Sequence, residues 1–186
     1  MGRQEQTNHL FSNCDLRILL VPLIVEQILN SLMGTADSIM VSNVGSAAIS
    51  AVSLVDSINI LVIQAFYALA AGGTIVCSQY IGQKDKKNAE ESARQLSFVV
   101  ACISSAVMAV CLLTRGPLLR LIFGSVEADV MEAAQIYFFY TALSFPFIAL
   151  YDAGSSIYRA QGNTRLPMTI AVVSNGLNIA GNAVLI

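Results

Sequence analysis

Long apolar stretches without charge alternate with short polar segments along this chain. Four such stretches, of 27, 19, 19 and 21 residues, contain no Asp, Glu, Lys or Arg: Ser57–Gln83, Leu96–Thr114, Ala133–Tyr151 and Leu166–Ile186. A helix that crosses a bilayer needs about 20 predominantly apolar residues. A fifth stretch is long enough if Glu26 and Asp37 are tolerated within it. The pattern predicts five membrane-spanning helices, over approximately 16–41, 52–79, 93–114, 131–156 and 166–186.

Composition supports a membrane protein. Hydrophobic residues make up 55% of the 186 residues and charged residues only 12%, whereas soluble domains carry about 25% charged residues. The chain therefore has too little polar surface to cover a water-soluble body. We expect a single all-α unit over residues 1–186, a polytopic bundle of membrane helices.

The basic residues predict the orientation of the bundle. Eight of the ten fall on one side of the predicted membrane and two on the other, in the segment between the third and fourth helices. Because Lys and Arg concentrate in cytoplasmic loops, we expect a cytoplasmic N-terminus in the plasma or inner membrane. The eight are Arg3, Arg17, Lys84, Lys86, Lys87, Arg94, Arg159 and Arg165, and the two are Arg115 and Arg120.

Two segments between the predicted helices have distinct patterns. Residues 82–95 have mixed charge and predict an amphipathic cytoplasmic start to the third helix. Residues 114–125 contain Gly116 and Pro117 and predict an outer turn with a short interfacial helix. The sequence also stops within or just after the last apolar stretch, so we expect it to be part of a longer protein.

Polar residues form a stripe along the first predicted helix. Spacings of four, four and three place Glu26, Asn30, Gly34 and Asp37 on one helical face. A charged side chain at the bilayer centre costs about 2.5–3.5 kcal/mol on insertion scales, so such residues usually face a bundle interior or water. We expect a hydrated cavity, and the alternative is a hydrogen-bonded helix seam. The adjoining stripe holds Gln27, Ser31, Thr35 and Ser38.

A second polar stripe lies on the fifth predicted helix. Asn175, Asn178 and Asn182 are spaced by three and four residues. The first and fifth predicted helices run outward. About 30 Å of helix separates Arg17 from Asp37, and about 25 Å separates Arg165 from Asn182, so we expect Asp37 and Asn182 at similar depths in the membrane. Carboxylate and amide oxygens suit a hard cation such as Na⁺, and a buried carboxylate without an ion tends to take up a proton. Asp37 is thus a candidate carrier of Na⁺ or H⁺.

Two other carboxylates receive simpler interpretations. Asp56 lies near the outer end of the second predicted helix and is expected to cap it or touch the interface. Asp152 precedes Arg159 by seven residues on the same helical face. This spacing predicts an interfacial ion pair between Asp152 and Arg159.

Catalysis and metal binding find little support in the sequence. His9 is the only histidine, and no two cysteines form a CxxC pair. We therefore predict no catalytic residue, no metal site, no enzyme activity and no cofactor other than a coupling ion. The net charge of −2 gives no reason to expect a nucleic acid partner. The cysteines, Cys14, Cys77, Cys102 and Cys111, are expected to be small apolar packing residues.

Four segments, in order, resemble multidrug and toxic compound extrusion (MATE) transporters. "LLVPLIVEQILNSLMGTADSIMVSNVGSAAISAVS" is similar to that family's first helix and loop, and "GGTIVCSQYIGQKDKKNA" to the end of its second helix. "YRAQGNTRLPM" resembles the loop between helices four and five, and "NGLNIAGNAVLI" resembles helix five. The resemblance covers the chain from about Leu16 to Ile186.

The resemblance implies a cation-coupled antiporter that exports amphipathic, often cationic, drug-like molecules. It implies that Asp37 is the coupling carboxylate and that Asn178 and Asn182 lie near it. Glu26, Gln27 and Asn30 are the candidate cavity and substrate residues. Family members have twelve helices in two lobes of six, so the chain would be five helices of the N-terminal lobe, surrounded by lipid and lacking the C-terminal lobe.

Two alternatives remain. A small membrane protein that only packs against partners would use the polar stripes as association seams. A flippase for lipid-linked oligosaccharides, from the same superfamily, would need cationic residues in its cavity because its cargo is anionic. The only Lys or Arg residues within the bounds of the predicted spans are Arg17 and Arg94, each at the second residue of its span, and none lies deeper, which favours the drug antiporter.

Overall fold

Five helices make up the part of the chain that the structure describes. The computed structural model describes the backbone of residues 13–42, 45–124 and 126–185, and the side chains of residues 16–35, 39, 45–124 and 126–181. No strand occurs in these residues, and the prediction of an all-α bundle is confirmed. The helices are α1 (Asn13–Ser42), α2 (Ser46–Gly82), α3 (Lys86–Phe123), α4 (Ala128–Ala160) and α5 (Arg165–Leu185).

Four helices have the length and composition of membrane spans. The apolar segments are Leu16–Thr35 within α1, and the whole of α2, α3 and α4. The helix α5 is not in this set within the described residues, so a fifth span over 166–186 stays a prediction. The helices of 37, 38 and 33 residues in α2, α3 and α4 exceed the roughly 20 residues that a bilayer requires. Their ends therefore extend beyond the predicted spans.

The start of α3 agrees with the sequence, and its end does not. Asp85 caps the helix by accepting a hydrogen bond from the backbone N–H of Asn88 at 3.2 Å. An outer turn with a short interfacial helix was predicted over residues 114–125, and the turn is wrong, because α3 continues without a break through Gly116 and Pro117 to Phe123. Arg115 stays on this helix and lies 5.3 Å from the ring centre of Phe139 in α4. The helix α3 thus continues past a glycine and a proline that would normally end it, in a region where it packs against α4.

The helices α2, α3 and α4 pack together around one apolar core. Small and large side chains alternate on the buried face of α4, where Ala134 and Ala142 flank the fully buried Phe138. Phe145 meets Phe66 of α2 edge to face, with ring centres 6.0 Å apart. The alanines allow close approach of the backbones while the aromatic rings fill the remaining space. We call these three helices the central bundle.

The helices α1 and α5 form a separate pair beside the central bundle. They pack along each other, whereas α1 touches α2 and α5 touches α4 only slightly. Thr164, just before α5, donates its hydroxyl to the backbone carbonyl of Ile18 near the start of α1, at 3.4 Å. Because both helices begin near this contact and stay packed beyond it, they run in the same direction. We call them the outer pair.

Candidate functional site

A partly buried ion pair connects the outer pair to the central bundle. Glu26 of α1 is 5% exposed, and its Oε1 lies 2.8 Å from the Arg159 guanidinium of α4. The Tyr151 hydroxyl donates to the same oxygen at 3.3 Å. The ion pair joins two helices that do not pack closely, because no α carbons of α1 and α4 come within 8 Å of each other in the described parts. Long polar side chains therefore make this link.

The structure corrects the predicted partner of Arg159. The sequence predicted an ion pair with Asp152, two turns earlier on the same helix, but Arg159 pairs with Glu26. Asp152 still interacts electrostatically with both Arg159 and Glu26. Buried atoms without a hydrogen-bond partner remain in this group: Glu26 Oε2, Asp152 Oδ2 and Arg159 Nε. Two carboxylates and one guanidinium thus share a single, partly buried region.

The other described residues of the two neighbouring polar stripes on α1 lie on more open surface. Gln27 and Asn30 are exposed, as is Gly34. Within the second half of α1, Thr35 donates its hydroxyl to the Ser31 carbonyl at 3.1 Å, inside the same helix. The side chain of Asp37 lies outside the described residues, although its backbone is helical. The hydrated cavity beside the stripe of Glu26, Asn30, Gly34 and Asp37 stays a prediction, with a helix seam as its alternative.

The asparagines of α5 differ from one another. Asn175 is 6% exposed, donates its amide to the Ala171 carbonyl at 2.7 Å, and keeps its Oδ1 buried without a partner. Asn178 is half-buried. The side chain of Asn182 lies outside the described residues, within a helical stretch of backbone. An amide oxygen is thus available inside the outer pair, at Asn175.

Sequence reasoning missed a polar contact inside the central bundle. Asp56 of α2 accepts hydrogen bonds from the Tyr137 hydroxyl of α4 at 3.2 Å and from the Asn59 amide at 3.4 Å. Asp56 is therefore more than a helix cap or an interfacial residue. The signal was the spacing of Asp56 and Asn59 by three residues, which puts them on one helical face. Tyr137 is 81 residues away from Asp56 and no local pattern could identify it.

Comparisons with known proteins cover nearly all of the chain. The MatE family model matches residues 22–184. The uncharacterized transporter YisQ of Bacillus subtilis is 34% identical over 89% of this chain and 36% of its own length. A probable multidrug resistance protein NorM of Thermotoga maritima is 26% identical over 87% of this chain and 34% of its own length. This chain thus spans about a third of the length of these relatives.

The fold also matches that of a solved MATE structure. A crystal structure of MATE in complex with MaL6 superposes with a TM-score of 0.87, at 23% identity, over 92% of this chain and 38% of that one. The structural superposition supports the arrangement of the helices, and the match of residues 22–184 to the MatE family model rests on the amino-acid sequence. This chain therefore belongs to the MatE family of multi-pass membrane transporters, which are not enzymes.

Proposed function

We propose that this chain is part of the N-terminal lobe of a cell-membrane antiporter, with its N-terminus in the cytoplasm. The complete protein exports amphipathic cationic drugs in exchange for H⁺ or Na⁺. Asp37 is the coupling carboxylate, and Asn178 and Asn182 contribute amide groups beside it. Glu26, Gln27 and Asn30 belong to the path of the substrate.

The observation that carries this proposal is the alignment of α1 with α5. The Thr164–Ile18 hydrogen bond fixes the register of the two parallel helices near their starts. Asp37 lies 19 residues beyond Ile18, and Asn182 lies 18 residues beyond Thr164. A difference of one residue corresponds to about 1.5 Å along a helix. This count supports similar depths for the carboxylate and the amide.

The chemistry of such a group suits ion coupling. A carboxylate can hold a monovalent cation directly or take up a proton, and an amide can orient either form without changing its own charge. The relatives named as probable multidrug resistance proteins support a drug-like cargo. Exchange of ion and drug at one lobe would then couple their movements.

The rest of the machinery is expected outside this chain. The chain spans about a third of its relatives, and transporters with repeated lobes work by moving one half against the other around a central site. We therefore propose a C-terminal lobe as the obligatory partner of this one. Lipid surrounds both lobes.

A gradient experiment tests the coupling residue. The complete protein, reconstituted in vesicles, is tested for transport of a fluorescent cationic dye driven by an imposed H⁺ or Na⁺ gradient. Asp37→Asn should abolish driven transport, because the amide keeps the shape of Asp37 but neither titrates nor neutralises a cation. Asp129→Asn, at an exposed carboxylate in the first turn of α4, is the matched control and should transport normally.

The same assay identifies the ion. A response to the H⁺ gradient alone assigns a proton, and a response to Na⁺ at equal pH on both sides assigns sodium. Asn182→Ala should reduce the rate less than Asp37→Asn does, since it removes a neutral ligand and leaves the charge. Full driven transport by Asp37→Asn, at equal protein level, would refute the proposed role of Asp37.

A further inference from the structure

We propose that Glu26, Arg159 and Asp152 form a charge-exchange site at which a cationic group replaces Arg159 on Glu26. In the exchange, the Arg159 guanidinium moves from Glu26 of α1 to Asp152 of its own helix, and Glu26 takes the incoming positive charge. The outer pair is then released from the central bundle at this level. The inference rests on the proposed transport function, and the site is distinct from that of Asp37.

The first support is the way in which α1 is held. Its α carbons stay more than 8 Å from those of α4 in the described parts, yet Glu26 and Arg159 are in direct contact. Tyr151 adds a second bond from α4 to the same carboxylate oxygen. Loss of the guanidinium would therefore leave one neutral hydrogen bond between the two helices at this point.

The second support is the charge balance. Glu26 and Asp152 carry two negative charges when ionised, and Arg159 supplies one positive charge. Asp152 and Arg159 are separated by seven residues, or about 10 Å along α4, on one helical face. A long arginine and a short aspartate can meet across this distance, and Oδ2 of Asp152 is buried without a hydrogen-bond partner. Arg159 therefore has two acceptors, of which it contacts one.

The third support is the set of unsatisfied buried atoms. Glu26 Oε2, Asp152 Oδ2 and Arg159 Nε all lack hydrogen-bond partners. Glu26 is 95% buried, since its exposure is 5%, and its free oxygen offers a second acceptor position inside the protein. A buried carboxylate that loses its counter-ion is costly. Release of Arg159 therefore requires a replacement cation at Glu26.

The replacement carries a single positive charge and is a proton or the cationic group of a cargo molecule. Other charges from the packed helices lie elsewhere in the described residues: Arg17 of α1 and Arg165 of α5 are exposed, and Asp56 of α2 bonds Tyr137. The groups that face Glu26 are therefore Tyr151, Asp152 and Arg159 of α4. Eleven residues, or about 16 Å of helix, separate Glu26 from Asp37.

A distance measurement tests the exchange in the complete protein. In a background without native cysteines, spin labels are placed at the exposed positions Ile24→Cys of α1 and Leu150→Cys of α4. Pulsed electron paramagnetic resonance then measures their separation in lipid nanodiscs. Acidification supplies protons, and tetraphenylphosphonium at constant pH supplies a permanently charged organic cation.

The unsubstituted site should show a short distance at neutral pH and a longer one after at least one of the two additions. A response to acid alone assigns the proton, and a response to tetraphenylphosphonium assigns an organic cation. Glu26→Gln should give the longer distance without any addition. Asp152→Asn should keep the short distance and fail to respond, because Arg159 then has no second anionic acceptor. Glu132→Gln, an exposed carboxylate of α4, should behave as the unsubstituted protein.

Three outcomes would overturn the proposal: no change with either addition, a short distance in Glu26→Gln, or a normal response in Asp152→Asn. A purely structural ion pair predicts the last of these, since Asp152 does not contribute to it. The measurement requires no transport. A negative result therefore leaves the Asp37 site intact, and failure of Asp37→Asn to alter transport would leave these distances unaffected.

Discussion

The central bundle and the outer pair are built on different principles. In α4 alone, seven apolar residues are buried at helical spacing: Val130, Ala134, Phe138, Ala142, Phe145, Ala149 and Ala153. The described side chains of α1 include only two buried residues, Pro22 and Glu26, and those of α5 include three, Pro167, Ala171 and Asn175. An extended apolar core holds the central bundle together, whereas the outer pair buries few side chains and makes a polar contact with the bundle through Glu26.

The two regions are held in place by different amounts of buried apolar surface. Exposed apolar residues on the outer pair, such as Leu32 at 61% and Leu177 at 69%, contribute little to holding it within this structure. Its polar connection to the bundle includes the ion pair between Glu26 and Arg159. The exchange proposed for Glu26 would let the outer pair shift relative to the central bundle.

The largest expected effect tests the bundle core. Phe138→Ala removes a fully buried ring and should destabilise the protein by about 3–5 kcal/mol, because the ring's contacts are lost and a cavity remains. Thermal or denaturant unfolding in detergent, followed by circular dichroism, measures the change. Phe147→Ala on the same helix, at 75% exposure, should have a small effect. Equal losses in the two variants would break the contrast between core and surface.

A closer comparison concerns two adjacent glycines of α2. A Cβ at Gly73 would collide with the Leu96 side chain of α3, whereas one at Gly72 would have nothing within 4 Å. Both substitutions with alanine gain the same helix propensity, so their difference isolates the collision. Gly73→Ala should be less stable than Gly72→Ala by about 1–3 kcal/mol, the usual cost of overpacking. Unfolding curves that coincide would show that Leu96 moves aside freely.

The smallest expected effect concerns a polar bond inside the bundle. Tyr137→Phe removes the hydrogen bond to Asp56 and keeps the ring. We expect a loss of about 0.6 kcal/mol, the average for such bonds between membrane helices. Tyr140→Phe, at a position 66% exposed on the same helix, is the control. A loss several times larger in Tyr137→Phe would show that polar contacts hold the bundle as well as the outer pair.

The sequence predicted the features that depend on local pattern. Charge-free stretches located the helices, and the mixed charge before residue 96 located the start of α3 near Asp85. The end of α3 was mispredicted because Gly116 and Pro117 signal a turn, whereas the helix α4 packs along this region and Arg115 contacts Phe139. Proline is tolerated in membrane helices when neighbours compensate for the lost backbone bond.

The candidate sites show the same limit. Helical spacing correctly grouped Asp152 and Arg159 on one face. It could not reveal that the Arg159 guanidinium pairs with Glu26, which is 133 residues away in the sequence. Contacts of this kind depend on how the helices pack side by side, and the spacing of residues within one helix carries no information about that packing. The positions of the Asp37 and Asn182 side chains stay predictions from spacing.

The central claim is that the outer pair carries the coupling ion through Asp37. The most direct measurement is the charge movement produced by ion binding alone, recorded on a solid-supported membrane that carries the complete protein without any drug. We predict a transient current on addition of the coupling ion to the unsubstituted protein and to the Asp129→Asn control, and none with Asp37→Asn. An undiminished current from Asp37→Asn would contradict the claim.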